Sequence, residues 1–215
     1  MKNYYFYTKK MSVGYNGKPL IRDIEIGLHK GKILTLIGPN GAGKSTVLKS
    51  IARQLRLIGG TAYLGNESLS EMKRDDLAKK MSVVFTEKMK TEMMTCEDVV
   101  ATGRYPYTGR FGILSEEDNR MVEEAMELVQ VTYIRNQLFS KISDGQRQRV
   151  MLARSICQEP EIVILDEPTS HLDVKYKLEF LSILQEMRKE KGLTVIMSLH
   201  ELELAERVSD KILCV

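Results

Sequence analysis

A glycine-rich segment follows an apolar run and reads GPNGAGKST, from Gly38 to Thr46. Its spacing fits the pattern G-x-x-x-x-G-K-[ST], in which glycines let backbone N–H groups surround phosphate and a helix N-terminus adds partial positive charge. In that pattern Lys44 reaches the β- and γ-phosphates of a nucleotide and Ser45 ligates Mg²⁺. The alternative is a simple turn between a strand and a helix. The predicted nucleotide-binding residues are Gly38, Pro39, Asn40, Gly41, Ala42, Gly43, Lys44, Ser45 and Thr46.

Two adjacent carboxylates, Asp166 and Glu167, end another apolar run in IVILDEPTS. Beside a phosphate loop, an acid at this place holds Mg²⁺ directly or through water, a role that suits Asp166. Glu167 would polarise the attacking water as a general base. The alternative is an exposed acid pair at the turn before Pro168. Kinases and small GTPases do not need the second acid, so the pair favours a nucleoside triphosphatase that uses water.

A histidine ends a third apolar run, TVIMSLH, at His200. A lone histidine is more often structural than catalytic. Ligands of open α/β sheets, however, bind in the crevice at the strand ends. His200 is therefore a candidate for contact with the γ-phosphate.

A second polar segment that could bind a ligand lies about a hundred residues after the phosphate loop, in KISDGQRQRVMLARS. Ser143 offers a hydroxyl, Gly145 exposes backbone, and the helix that follows offers free N–H groups at its positive end. The alternative is an ordinary helix cap by Ser143 or Asp144. From these residues alone, both interpretations stay open.

The elements around these segments predict an α/β fold with a P-loop nucleoside triphosphatase core and a mostly parallel sheet. We expect an N-terminal antiparallel β region and an inserted helical subdomain, so that residues 1–86 and 155–215 form the nucleotide-binding core and residues 87–154 the helical part. A capping box at Ser115 is predicted to open a helix in that part. The other predicted helices cover residues 44–55, 71–80, 174–191 and 201–208.

Composition excludes several classes of protein. The 215 residues carry a net charge of +3 with both signs mixed, so no basic face for nucleic acid is expected. Cys96, Cys157 and Cys214 are scattered, which predicts free thiols. No apolar run approaches the roughly 18 residues of a membrane span, and the start does not fit a signal peptide. The last apolar run stops at Val215, which suggests that a C-terminal covering element is missing from the sequence.

Taken together and in this order, the segments resemble the nucleotide-binding subunits of ATP-binding cassette (ABC) transporters. The resemblance spans nearly the whole chain and includes the phosphate loop, ISDGQ, ILDE, SHLD and the final histidine. It implies that Tyr15 stacks on adenine; the alternative is packing at a sheet edge. It also implies a homodimer that encloses two ATP molecules with Mg²⁺. Each subunit would complete the other's site with ISDGQ, residues 142–146, which we call the signature segment, and with SHLD. The residues that would act there are Ser143, Asp144, Gly145, Gln146 and Asp173.

The segment ATGRYPYTGRFG resembles the one found in importers of iron–siderophore, haem or cobalamin type and suggests a contact with the membrane subunit. Packing of Tyr105 and Tyr107 between helices is the alternative. The implied partners are permease subunits and, indirectly, a substrate-binding protein, which would place the chain on the cytoplasmic side of the membrane. Family members have a Mg²⁺-binding glutamine after the strand MSVVF. Here Thr86 and Glu87 take its place, and either has an oxygen that suits a hard cation.

Two other functions remain as alternatives to a transport ATPase. One is a soluble ABC ATPase that acts on DNA or ribosomes; such proteins usually carry a long coiled-coil insertion or a second cassette, and neither is seen here. The other is a nucleotide-gated binding module with little hydrolysis. The missing glutamine favours the second alternative, whereas Glu167 and His200 favour an enzyme.

Overall fold

The computed structural model describes residues 4–85, 91–109, 111–170 and 172–215. The part before the first gap contains, in chain order, β1 (Phe6–Tyr15), β2 (Lys18–Ile24), β3 (Gly27–Leu28), β4 (Ile33–Ile37), α1 (Lys44–Ile51), β5 (Gly59–Leu64), β6 (Glu67–Ser68), α2 (Arg74–Lys80) and β7 (Met81–Val84). The rest contains α3 (Cys96–Ala101), α4 (Glu116–Leu128), α5 (Asp144–Cys157), β8 (Ile162–Leu165), α6 (Val174–Lys191), β9 (Thr194–Ser198), α7 (Leu202–Val208) and β10 (Lys211–Cys214).

The central sheet has the strand order β10-β4-β9-β8-β7, and every neighbouring pair in it is parallel. Strands β8 and β9 are buried along their whole length, as expected of parallel strands that are covered on both faces. Because the strands run in one direction, the residues that follow β4, β8 and β9 meet at one edge of the sheet. That edge carries the phosphate loop, the acid pair and His200.

A second sheet, with the order β2-β1-β5-β6, is antiparallel and also pairs β3 with β1. It packs with α1 on one face of the central sheet, where Ile162 and Ile164 belong to the shared core. The alternate residues Val163 and Leu165 face the opposite core, which the other helices cover. The predicted fold class, a P-loop core with an antiparallel N-terminal region and added helices, is therefore confirmed.

Helices α3, α4 and α5 make up the helical part, and each begins with a capping box. The predicted box at Ser115 is present, and the predicted apolar stripe of α4 is buried at Val122, Ala125 and Met126. Helix α5 runs on through Cys157 and so crosses the predicted boundary between residues 154 and 155. The division of the chain into two units remains a prediction.

Arg104 ties these helices together in the interior. It is buried, and its Nε donates to Asp118 Oδ1 at 2.8 Å while its Nη1 donates to the Cys157 carbonyl and to Glu159, both at 2.8 Å. Hydrogen bonds from the Ser115 hydroxyl and N–H, together with the Arg104 guanidinium, lower the pKa of Asp118 to about 2. The start of α4 and the end of α5 are therefore joined through the buried ion pair of Arg104 and Asp118, with the exposed Glu159 as a further partner of Arg104.

Some predicted helix bounds were wrong. Helix α1 ends at Ile51 rather than at residue 55, because Arg53 adopts a left-handed backbone with φ of 58°. Helix α2 begins at Arg74 rather than at residue 71, since the N–H groups of Glu71 and Met72 both bond the Ser68 carbonyl in a turn. Helix α6 has the predicted bounds. Helix α7 begins one residue later than predicted, at Leu202.

Candidate functional site

The phosphate loop joins buried β4 to the N-terminus of α1. Gly43 is the N-cap residue of α1 with φ of 108°, and a Cβ on it would lie 2.8 Å from Ile21 Cδ1, so a larger residue would strain this turn. No side chain caps α1, and its first turn contains no acid. The N–H groups and the positive end of α1 are therefore directed at the loop, as an anion site requires.

The side chain of Lys44, the first residue of α1, turns back into the phosphate loop. The residue is buried, and its Nζ donates to the carbonyls of Gly38 at 2.8 Å and of Pro39 at 3.1 Å. The ammonium group thus sits where the loop closes over its own backbone. It is within reach of any phosphate that the loop surrounds.

Tyr15 ends β1 beside the phosphate loop, with about half of its surface exposed at 51%. Its hydroxyl lies 3.1 Å from the Thr46 hydroxyl in α1. The side chain therefore stands next to the nucleotide-binding segment, and about half of the residue is open to solvent. Adenine stacking by Tyr15 remains a prediction.

Replacement of Tyr15 should separate stacking from the hydroxyl contact. Base stacking on an aromatic ring contributes about 1–3 kcal/mol, so Tyr15→Ala should weaken ATP binding by about 5- to 150-fold. Tyr15→Phe keeps the ring and loses only the contact with Thr46, so its ATP affinity should stay within about threefold of the wild type. Titration with a fluorescent ATP analogue measures both. Equal losses in the two variants would contradict the stacking role.

Asp166 is buried, at 3% exposure, at the end of β8. Its Oδ1 accepts hydrogen bonds from the Ser45 hydroxyl at 3.0 Å and from the Ser198 hydroxyl at 2.8 Å. Ser45 of the phosphate loop and Asp166 are thus in direct contact, although 121 positions separate them in the sequence. Sequence reasoning missed Ser198, although a hydroxyl that ends the buried run TVIMS at the same sheet edge was the signal that could have found it.

Glu167 points away from Asp166. Its backbone has φ of 50°, an uncommon conformation for a residue with a side chain, and its N–H donates to the Ser198 hydroxyl at 2.9 Å. Its Oε2 lies 2.9 Å from His200 Nε2. Ser198 therefore bonds the Asp166 carboxylate and the backbone N–H of Glu167, and the Glu167 carboxylate in turn lies against His200. We call Ser45, Asp166, Ser198, Glu167 and His200 the catalytic row, after the role that is proposed for them below.

The residues fit a magnesium ion that is shared with a nucleotide. Hard cations prefer oxygen ligands, and the hydroxyl of Ser45 and the carboxylate of Asp166 converge at the loop. Within the described ranges, no group of three or more His, Cys, Asp or Glu residues is suited to hold a metal alone. Mg²⁺ would thus need phosphate oxygens and water as further ligands. Thr86 and Glu87, the other two candidates, lie outside the described residues.

The signature segment forms a separate pocket. Ser143 is the N-cap residue of α5: its hydroxyl accepts from Gln146 N–H at 3.3 Å, and its own N–H donates to Gln146 Oε1 at 2.9 Å. The cap interpretation is therefore correct at the level of local structure, and it leaves the exposed segment open to a ligand. Asp173 caps α6 in the same way, accepting from Tyr176 N–H at 3.1 Å.

Both helix starts open into one cavity of about 310 Å³, which we call the signature pocket. It is lined by Tyr133, Ser143, Asp144, Gly145, Gln146, Arg149, Leu172, Asp173 and Tyr176. The predicted in-trans residues are thus brought together with one another. None of the residues that line this cavity belongs to the phosphate loop or to the catalytic row.

In ATGRYPYTGRFG, the segment expected to contact a membrane subunit, one aromatic side chain packs against the protein and two are exposed. Tyr107 packs locally, as the alternative supposed: its ring lies 4.1 Å from the Arg104 guanidinium, and its hydroxyl donates to the Gln158 carbonyl at 2.9 Å. Tyr105 and Phe111 are exposed, at 58% and 88%. Tyr105 and Phe111 therefore present aromatic surface to solvent, whereas Tyr107 is held by Arg104 and Gln158.

Comparison with known proteins agrees with this geometry. Residues 21–170 match the family described as ABC transporter, which is more than half of the chain. The chain belongs to this family. It is accordingly an ABC transporter ATP-binding subunit. In the described ranges, no helix is long and apolar enough to cross a membrane.

Its curated relatives include proteins of import systems. An ABC transporter ATP-binding protein of Methanocaldococcus jannaschii is 45% identical over 95% of this chain and 70% of its own length. The iron(3+)-hydroxamate import ATP-binding protein of Bacillus subtilis is 38% identical over 94% of this chain and 75% of its own length. A petrobactin import ATP-binding protein of Bacillus anthracis is 34% identical over 97% of this chain and 76% of its own length.

Solved structures have the same fold. A structure described as an inward-facing, metal-chelate type ABC transporter superposes with a TM-score of 0.84 at 25% identity, over 99% of this chain and 79% of the matched chain. A dimeric ABC transporter cassette bound to ADP and phosphate superposes with a TM-score of 0.84 at 24% identity, over 98% of this chain and 94% of its own. At that identity the second likeness concerns the fold.

Proposed function

We propose that the chain hydrolyses ATP to ADP and phosphate as the motor subunit of a metal-chelate importer. The observation that carries the proposal is the catalytic row. A phosphate loop alone would serve for nucleotide binding, whereas an acid aligned beside it and held by a histidine serves for attack by water.

Binding of ATP would use the loop and Tyr15. The adenine would stack on the Tyr15 ring, and the phosphates would accept hydrogen bonds from the loop N–H groups at the start of α1. Lys44 would exchange its two bonds to loop carbonyls for contacts with phosphate oxygens. Ser45 and Asp166 would hold Mg²⁺, which when bound neutralises charge on the phosphates.

Hydrolysis would use Glu167 and His200. The carboxylate of Glu167 accepts a hydrogen bond from the attacking water and so directs its oxygen at the γ-phosphorus. As the new P–O bond forms, the bond to the β-phosphate oxygen breaks, ADP leaves, and the water proton passes toward Glu167. His200 orients the Glu167 side chain through their 2.9 Å contact and lies at the edge where the γ-phosphate would sit.

A second copy of the chain would complete each site. The signature pocket offers the Ser143 hydroxyl and the N-terminus of α5, both suited to phosphate, and its lining is separate from the loop of its own chain. Ser143, Asp144, Gly145, Gln146 and Asp173 would therefore act on the nucleotide that the partner holds.

Transport would be coupled through a permease that contacts the surface around Tyr105 and Phe111. The names of the hydroxamate and petrobactin relatives support a ferric chelate as cargo, delivered to the permease by a substrate-binding protein. The chain would then lie at the cytoplasmic face of the membrane, without contact to nucleic acid.

The test is steady-state phosphate release by the purified chain, alone and with the permease that co-purifies with it. We expect turnover with Mg²⁺ and ATP, none after chelation of Mg²⁺, and a change in kcat when the permease is present. Tight ATP binding without phosphate release in both preparations would contradict the proposal and would favour a nucleotide-gated binding module.

A further inference from the structure

Lys177 and Glu201 form an ion pair between α6 and the start of α7, in which Lys177 Nζ donates to Glu201 Oε1. Glu201 is the N-cap residue of α7, yet its side chain makes no hydrogen bond to that helix. Lys177 is the fourth residue of α6, near the positive end of the helix, where a cation is disfavoured. An acid at the start of α7 is favourable for that helix, whereas a cation at Lys177 is not favourable for α6, so the stability of α6 does not explain the position of Lys177.

One end of this pair reaches the catalytic row. Glu201 directly follows His200, whose Nε2 lies 2.9 Å from Glu167 Oε2. On the other side of His200, the Leu199 N–H donates to the Leu36 carbonyl of β4 at 3.1 Å. The segment that carries His200 is thus held by the sheet on one side and by Lys177 on the other.

The other end of the pair reaches the signature pocket. The backbone N–H of Lys177 donates to the Asp173 carbonyl at 3.0 Å, in the first turn of α6. Asp173 caps that turn and lines the pocket. A single helical turn therefore separates the ion pair from the surface that would meet the partner's nucleotide.

We propose that the Lys177–Glu201 ion pair positions His200 and links it to the Asp173 end of α6, so that hydrolysis at one nucleotide depends on the state of the signature pocket in the same subunit. The inference rests on the proposed hydrolysis in a dimer. Because each pocket would face the other subunit's nucleotide, the pair would join the two ATP sites.

Reversing each charge of the Lys177–Glu201 pair, and then exchanging the two, tests whether the pair controls hydrolysis. Lys177→Glu and Glu201→Lys should each lower kcat about tenfold, with KM for ATP changed less than about twofold, and should bring the Hill coefficient for ATP toward about 1. The double variant Lys177→Glu/Glu201→Lys restores opposite charges and should recover most of kcat and of the Hill coefficient. Lys177→Glu places an acid near a helix N-terminus, which is favourable, so its loss of activity should occur without a lower midpoint of thermal unfolding.

Matched controls lie on the same two helices. Lys175 is exposed and two positions before Lys177, and Glu203 is exposed and two positions after Glu201. Lys175→Glu and Glu203→Lys change the same charges and should leave kcat within about twofold of the wild type. Loss of activity in these variants equal to that in the pair variants would show a general charge effect and would overturn the proposal.

A readout that does not need hydrolysis separates this inference from the proposed function. The chain has three histidines, and His200→Gln assigns the His200 imidazole resonance in an NMR spectrum. Lys177→Glu should shift that resonance, the exchanged double variant should return it, and Lys175→Glu should leave it unchanged. If the wild type shows no turnover, the proposed function fails while this test still stands. An unmoved His200 resonance in both single variants, or a double variant as impaired as the single ones, would overturn the positioning role.

Discussion

The Glu167→Gln variant should lose about 10²- to 10⁴-fold in kcat for ATP hydrolysis while its affinity for ATP stays within about threefold of the wild type. Glutamine keeps the shape of the side chain and a polar contact to His200, but an amide does not accept the proton of the attacking water. The phosphate loop and Tyr15, which would provide the binding energy, are untouched. The expected change is therefore confined to the chemical step.

Single-turnover phosphate release, with nucleotide affinity titrated in parallel, measures both quantities. Glu203→Gln is the matched control, because Glu203 is an exposed glutamate of α7 outside the catalytic row. It should hydrolyse ATP at the rate of the wild type. Hydrolysis by Glu167→Gln at a similar rate would show that another group activates water.

The Ser143→Arg variant should abolish hydrolysis, with a loss of about 100-fold or more, while monomer binding of ATP remains nearly intact. An arginine at this position removes the hydroxyl and fills the signature pocket, which lies between the N-termini of α5 and α6. The phosphate loop does not line that pocket, so the nucleotide that the same chain binds is not disturbed. The contact that Ser143 would make with the nucleotide held by the partner chain would be lost.

Loss of the helix cap costs about 1 kcal/mol in stability, so this prediction needs a control for the cap itself. Thr95→Arg provides it, since Thr95 opens α3 with the same kind of capping box and does not line the signature pocket. The control should lower the unfolding midpoint to a similar extent and keep hydrolysis. If Ser143→Arg also loses ATP binding as a monomer, the segment is a structural cap and nothing more.

Local patterns predicted those parts of the site that depend on neighbouring residues. The phosphate loop is fixed by glycine spacing between a strand and a helix. Helix α6 could be bounded correctly because Asp173 caps its start and Gly192, with φ of 64°, ends it. Helix α1 could not, since nothing in its sequence marks Arg53 as left-handed.

Contacts between segments that are distant in the sequence could not be predicted from local sequence patterns. Ser198 bonds both Asp166 and the Glu167 N–H only because β8 and β9 are neighbours in the sheet. The pair of Lys177 and Glu201 likewise depends on how α6 packs beside the start of α7. Their residue types are ordinary for exposed helix positions, so the sequence offered no reason to single them out.

Sedimentation of the Glu167→Gln variant with Mg²⁺ and ATP tests most directly the claim that two chains share each ATP site. We expect a monomer without nucleotide, a dimer with ATP, and a monomer again with ATP when Ser143→Arg is added to the same chain. A Glu167→Gln variant that binds ATP and stays monomeric, or a double variant that dimerises equally well, would contradict it.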